Sequence, residues 1–327
     1  MRPEQSHWAR KTENGNYLAI RSLLTLYRYG GKWLIMVCLA PILAYFFLKD
    51  SSARKASLQF LQQVHKFKGP DSPFKRQPSY WQSYKHFWQF AIAALAKIDA
   101  WLGRIPQDNV SYGGSLPFET ITHSGKGAVI IGSHLGNQEV CRALVRSKYP
   151  IRINILAHTQ HTAAFNRILK ESSSDVDLHL IEVTELTPAV SVMLSDCIER
   201  GELVVIVGDR ISAQTPERAV WADFIGKPAP FAVGPWVLAS VLQCPVYLMF
   251  CLKQQQGYSL IFEPFSDGIQ IPRKQRQQVL TELAQRYAQV LETFACRYPL
   301  QWFNFYDFWQ LPVTKQYKEH SGDNSSN

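Results

Sequence analysis

Residues 127–149 read GAVIIGSHLGNQEVCRALVRSKY. The run GAVIIG at 127–132 is short, apolar and bounded by glycines, the pattern of a strand buried on both faces. Beyond it the apolar positions take helical spacing. A strand that turns through a glycine into a helix is half of a βαβ unit. Working outward, the alternation continues. Strands are predicted at 118–122, 152–157, 177–183, 201–207, 245–252 and 259–262, and helices at 163–171, 188–200, 231–242 and 273–297. This predicts an α/β fold over residues 105–312, with a mixed, largely parallel sheet flanked by helices. In such sheets chemistry gathers beyond the carboxyl ends of the strands. Two segments put polar residues there: Ser133 with His134, and Asp209 with Arg210.

Upstream, residues 1–104 read as a helical, membrane-associated region. The apolar stretch WLIMVCLAPILAYFFL at 33–48 has Arg21, Arg28 and Lys32 before it and Lys49, Arg54 and Lys55 after it. Sixteen residues of helix rise about 24 Å, short of a hydrocarbon core of roughly 30 Å. The stretch is therefore a short or tilted span, a helix lying partly in the interface, or a buried core helix. Aromatics at both ends and the lack of any acidic residue from 18 to 48 favour the membrane. Pro41 is expected to kink it. An amphipathic helix is predicted at 51–64 and an aromatic-rich helix at 80–102, joined by a linker that holds Pro70, Pro73 and Pro78. Residues 313–327 are polar and read as a tail.

The formal charge of +9 suits an anionic partner. A nucleic acid is not that partner: the only basic run is Arg273, Lys274 and Arg276, without interleaved aromatics. An anionic membrane face fits the basic, aromatic N-terminal third. Six cysteines without C-x-x-C spacing read as reduced thiols in a cytosolic compartment, with neither a disulfide framework nor a zinc site.

The sharpest chemical feature is His134 followed five positions later by Glu139. On one continuous helix that spacing makes the two diverge. They meet only if His134 precedes the helix and Glu139 lies in its first turn, which the strand–turn–helix pattern allows. The imidazole then donates from one ring nitrogen to Glu139 and takes a proton on the other. That is the base-and-orienter half of a triad, with the nucleophile left to the substrate. No G-x-S-x-G elbow, Walker A, G-x-G-x-x-G or H-E-x-x-H accompanies it, and no metal ligand set is predicted.

The block Gly132-Ser133-His134 with Glu139 resembles the first motif of the lysophospholipid acyltransferase superfamily. Phe165-Asn166-Arg167 is similar to its second block. Val207-Gly208-Asp209-Arg210 and the following WADFIGKPAPF at 221–231 are similar to the third, as found in the lipid A lauroyl/myristoyl branch. The ending PLQWFNFYDFW at 299–309 resembles the Pro-x-Gln-Trp finish of that branch, in particular a subgroup associated with aryl polyene-type lipids. NFYDFW replaces the basic finish of the lipid A enzymes, which points away from lipid A itself as acceptor.

The resemblance implies a glycerolipid acyltransferase-like fold with an N-terminal hydrophobic anchor. It implies His134 as general base on an acceptor hydroxyl or amine, oriented by Glu139. Arg167 and Arg210 would bind a substrate anion or stabilise developing charge. Asp209 would hold Arg210 or an acceptor group, and Asn137 would shape the motif beside the substrate. The donor would be an acyl thioester on acyl carrier protein or coenzyme A, with no cofactor. The acceptor would be lipid-like, and the setting the cytoplasmic side of a bacterial inner membrane. Two other readings stay open: a non-catalytic membrane interaction protein with an acyltransferase-like body, and an acyl thioester hydrolase.

Overall fold

A computed structural model describes residues 34–101, 103–115, 118–123, 125–149, 151–157, 179–182, 187–211 and 215–311. The predicted helix at 163–171, Arg167 and the tail at 313–327 lie outside the described residues. The N-terminal part is helical: α1 (Leu34–Lys49), α2 (Ser51–Lys68) and α3 (Tyr80–Trp101). Asp50 caps α2, accepting from the Ala53 N–H at 2.9 Å. A bend of 90° separates α1 from α2 at this point.

The sheet follows, in chain order: β1 (Val110–Gly113), α4 (Phe118–His123), β2 (Ala128–Gly132), α5 (Gln138–Lys148), β3 (Ile153–Ala157), β4 (His179–Glu182), α6 (Pro188–Glu199) and β5 (Leu203–Val207). Then come the hairpin β6 (Ala219–Phe224) and β7 (Lys227–Ala232), α7 (Gly234–Leu242), β8 (Val246–Lys253), β9 (Tyr258–Ser266) and α8 (Arg276–Arg297). The seven-stranded sheet runs β1-β9-β8-β2-β5-β3-β4. Its pairings are parallel except β8 with β9.

The alternation of β2 shows why the sheet is covered twice. Val129 and Ile131 join one buried cluster with α7, α8 and the hairpin, while Ala128 and Ile130 join the other with α5 and α4. Phe60, Leu61 and Val64 of α2 lie in the first cluster, and Ala96 and Ala100 of α3 lie in the second. Helices α2 and α3 therefore contribute side chains to the two clusters that cover the sheet.

Two predicted elements are corrected. The strand expected at 118–122 is the helix α4, because Phe118 and Ile121, three apart, are both buried on one face. The helix expected at 231–242 begins only at Gly234, since 227–232 pairs with 219–224 as a hairpin.

No single described helix is long and apolar enough to cross a membrane; α1 and α2 pass that test only together, as a bent pair. The helical region does present exposed Ile42, Tyr45, Phe46, Leu48, Phe67 and Trp81.

Candidate active site

β2 and β5 are parallel neighbours in a register that pairs Gly132 with Val207. The chain therefore leaves both strands at one level, and His134 and Asp209 emerge side by side. The loop after β2 is held on three sides. Gly136 N–H donates to the Gln301 carbonyl at 2.8 Å, Asn137 N–H to the Cys251 carbonyl at 2.8 Å, and Phe303 N–H to the His134 carbonyl at 2.9 Å. Gly136 has φ +79, and a Cβ there would stand 2.0 Å from the Cys251 carbonyl oxygen. Only glycine fits this close approach. On α8, Tyr287 donates its hydroxyl to the Gly132 carbonyl at 2.9 Å.

The imidazole is oriented by Asp209. His134 Nδ1 lies 2.8 Å from Asp209 Oδ1, and the His134 backbone N–H donates to Asp209 Oδ2 at 2.8 Å. Two further donors reach Oδ2: Trp302 Nε1 at 3.0 Å and Asn304 Nδ2 at 3.3 Å. The Asp209 side chain has no solvent exposure, whereas that of His134 is 27% exposed. Burial alone would raise the Asp209 carboxyl. The positive charge of His134 and the hydrogen bonds from its side chain, its backbone and Trp302 outweigh that, so the group sits below the ordinary aspartate range. It is therefore a carboxylate, and Nδ1 carries the proton it accepts. Among the described residues Nε2 has no partner, so its lone pair is open to a ligand.

The expected partner of His134, Glu139, is turned elsewhere. Its carboxylate receives Arg142 Nε at 3.2 Å and Nη2 at 3.1 Å. The reason is geometric: Glu139 already belongs to α5, so its i+3 neighbour Arg142 is within reach on the same helical face. The role expected of Glu139 toward the imidazole is filled by Asp209, which had been assigned to Arg210 or the acceptor.

Asn137, expected beside the substrate, is buried and committed to the fold. Its Oδ1 accepts the Val140 N–H at the start of α5, and its Nδ2 donates to the Ala93 carbonyl of α3 at 2.7 Å. Arg210 is exposed and leans on the C-terminal segment, with Nε 3.2 Å from Asn304 Oδ1 and Nη2 3.1 Å from the Phe303 carbonyl.

Behind Asp209 runs a buried chain that the sequence did not reveal. His86 of α3 has Nε2 2.9 Å from the Trp302 carbonyl. A carbonyl only accepts, so Nε2 carries the proton and Nδ1 accepts from Ser57 Oγ at 3.0 Å. Ser83 Oγ stands 3.0 Å from Ser57 Oγ. Burial pushes His86 down to about 4, with the Trp302 carbonyl pulling the other way, so at neutral pH the ring is uncharged. Trp302 is fully buried against Phe60, Phe224 and Phe308, with ring centroids 4.7, 5.2 and 4.7 Å away. Each such pair adds about 0.5–1.5 kcal/mol to area burial. Trp302 thus anchors Asp209 from a rigid aromatic box. The motif around Trp302 was visible as a family feature, but its hydrogen bond to Asp209 and the contribution of His86 had no local signal.

A family model described as bacterial lipid A biosynthesis acyltransferase matches residues 75–310. The match takes in α3, the whole sheet and the C-terminal segment. Among curated proteins none matches the chain.

Proposed function

Because the chain belongs to the bacterial lipid A biosynthesis acyltransferases, an acyltransferase acting on lipid, we propose that His134 is its general base and Asp209 the residue that orients it. Its substrates are an acyl donor and a lipid acceptor. In the proposed reaction the acceptor hydroxyl or amine gives its proton to His134 Nε2 while its oxygen or nitrogen attacks the thioester carbonyl. The tetrahedral intermediate then expels the thiolate, which recovers the proton from Nε2. Asp209 holds Nδ1–H throughout and stabilises the imidazolium between the two steps. Arg210 stands at the rim for an anionic group on a substrate. The observation that carries the reading is the 2.8 Å bond between His134 Nδ1 and a fully buried carboxylate, with Nε2 left without a partner among the described residues.

The donor in this reading is a thioester of acyl carrier protein or coenzyme A, needing no metal or redox group because a thioester is already activated. The acceptor is a lipid of the inner membrane other than lipid A, as in the aryl polyene-associated subgroup. The exposed aromatics of α1 and α3, interspersed with Lys49, Arg54 and Lys85, support a seat on the cytoplasmic face of that membrane.

The test is transfer of a radiolabelled acyl group from each thioester into extracted bacterial membrane lipids. His134→Ala is expected to lower transfer by about 10²–10⁴-fold while the variant remains folded. Full activity in that variant would end the proposal.

A further inference from the structure

The peptide unit between Trp302 and Phe303 is gripped at both ends. Its oxygen accepts from His86 Nε2 at 2.9 Å, and its N–H donates to the His134 carbonyl at 2.9 Å. A peptide unit is planar and turns as one piece. Whatever fixes the oxygen therefore fixes the direction in which the N–H reaches the loop after β2. That loop and the C-terminal segment run side by side here, joined by an antiparallel bridge between Leu135 and Trp302. His134 is thus aimed by a backbone contact as well as by Asp209.

A second line leaves from the same residue. The Trp302 indole donates to Asp209 Oδ2, and Asp209 holds the imidazole through Oδ1. Among the described residues, His86 supplies the side-chain donor to the Trp302 oxygen, and it comes from α3. The other donor is the Asn304 N–H at 2.9 Å, two residues on. That bond turns with the segment itself, so it sets no direction relative to the sheet. His86 does set one, because its own ring is held. It is fully buried, with centroids 4.7 Å from Phe305 and 6.0 Å from Phe303, and its Nδ1 accepts from Ser57 of α2. Were packing its only task, an apolar side chain of that size would cost less to bury. A locked ring with an aimed donor is what a supporting residue needs in order to orient the group in front of it.

We propose that His86 is a positioning residue for acyl transfer. By fixing the Trp302–Phe303 peptide it sets His134 along two lines, the backbone bond to the His134 carbonyl and the Trp302–Asp209 bond behind the imidazole. It touches no substrate. Its effect on transfer rests on the acyltransferase reading; its effect on the His134 ring does not.

The experiment therefore has a kinetic arm and a spectroscopic arm, both on the full chain in neutral detergent. His86→Leu removes both hydrogen bonds of the ring and keeps an apolar filling. The Trp302 oxygen still has the Asn304 N–H, so the variant is expected to fold. Its kcat should fall about tenfold, the worth of one aligning hydrogen bond, with little change in KM. His86→Gln, which again offers a side-chain N–H to the Trp302 oxygen, should recover most of the loss. Leu194→Ala, at a fully buried position of α6 that takes part in none of these bonds, should lower stability and leave kcat unchanged. All rates are read at a temperature where every variant is folded. In the second arm, ¹⁵N spectra of the imidazoles are recorded without substrate. The His134 Nδ1 signal should move in His86→Leu, return in His86→Gln and stay put in Leu194→Ala.

A histidine that only supported the fold would lower the melting temperature alone. Unchanged kcat and unchanged His134 signals in folded His86→Leu would overturn the proposal, as would an equal fall of kcat in Leu194→Ala. If His86→Leu fails to fold, Ser57→Ala decides. It removes only the hydroxyl behind the ring and should move both readouts in the same direction by less; no change in either would overturn the proposal. A wild type that turns over no acyl thioester, while the His134 signals still answer to His86, would instead defeat the acyltransferase reading and leave the link between the two histidines standing.

Discussion

Replacing Asp209 by asparagine separates orientation of the imidazole from its mere presence. The two carboxylate oxygens are unequally used. Among the described residues Oδ1 accepts only from His134 Nδ1, while Oδ2 accepts from the His134 backbone, Trp302 Nε1 and Asn304 Nδ2. Asparagine offers one acceptor oxygen. Placed at Oδ2 it keeps three of the donors satisfied; placed at Oδ1 it turns an amide NH₂ against all three. At about 1 kcal/mol per hydrogen bond the first arrangement is favoured by roughly 2 kcal/mol. The amide NH₂ then faces Nδ1 and donates to it. The proton moves to Nε2, the nitrogen that must be empty to serve as a base. The fold loses little, about 1–2 kcal/mol, because every donor in the cluster keeps a partner. The rate falls on the order of 10³–10⁴-fold, as when a triad histidine is locked in the wrong tautomer. The assay is single-turnover acyl transfer, run beside ¹⁵N spectra of the labelled imidazole that report which nitrogen is protonated. Asp209→Asn should switch the tautomer, and Glu139→Gln should leave it unchanged whatever it does to the rate. An Asp209→Asn variant with transfer within tenfold of wild type and an unprotonated Nε2 would refute the reasoning. So would a tautomer switch produced by Glu139→Gln alone.

His86 sets an acid limit on stability. Its folded value is about 4 against 6.5 for the free ring, so between those values the unfolded chain binds the extra proton. Stability is then fully present above pH 6.5 and falls as the pH drops toward 4, by up to about 3 kcal/mol. Denaturant melts over that range should show the slope, and His86→Gln should flatten it. Trp302→Phe removes the indole donor to Asp209 while keeping most of the aromatic box. It is expected to cost about 1–3 kcal/mol of stability and about tenfold in kcat; wild-type kcat in that variant would show that Trp302 only packs.

The sheet strands were legible where the chain writes an unbroken β-branched run, as in 129–131 and 204–207. The hairpin at 219–232 was not. Pro228 and Pro230 speak against a strand, yet both fall at alternate positions of a two-stranded ribbon, where the missing N–H points off the free edge. Its turn is made by Ile225 at φ 53 and Gly226 at φ 71, and a β-branched residue at positive φ is no turn signal. Ile225 is nonetheless fully buried, so packing of its side chain overrides the backbone preference. The segment 118–123 failed for the opposite reason: FETITH favours a strand locally, and only the burial of Phe118 against Phe262 and Tyr149 decides for helix. His134 was legible as a strand-end histidine. Its carboxylate was not, because the choice between Glu139, five residues on, and Asp209, seventy-five residues on, depends on β2 and β5 being neighbours, and strand order has no local spelling.

The same long-range logic bears on how the N-terminal helices take part. Asp209 is held from the side of the loop after β2 by His134 and from behind by Trp302, and the backbone of Trp302 is held in turn by His86 of α3. His86 needs the hydroxyl of Ser57 on α2 to fill its acceptor. Every link behind His134 is buried, so none of them can exchange its partner for water without exposing the next. Helices that serve only to tether a domain have no cause to spend a buried histidine on the support of a carboxylate in the site. A change in how α2 and α3 sit together thus bears on the orientation of His134 through Trp302 and Asp209, and through the Ala93 carbonyl that holds Asn137 in the same loop.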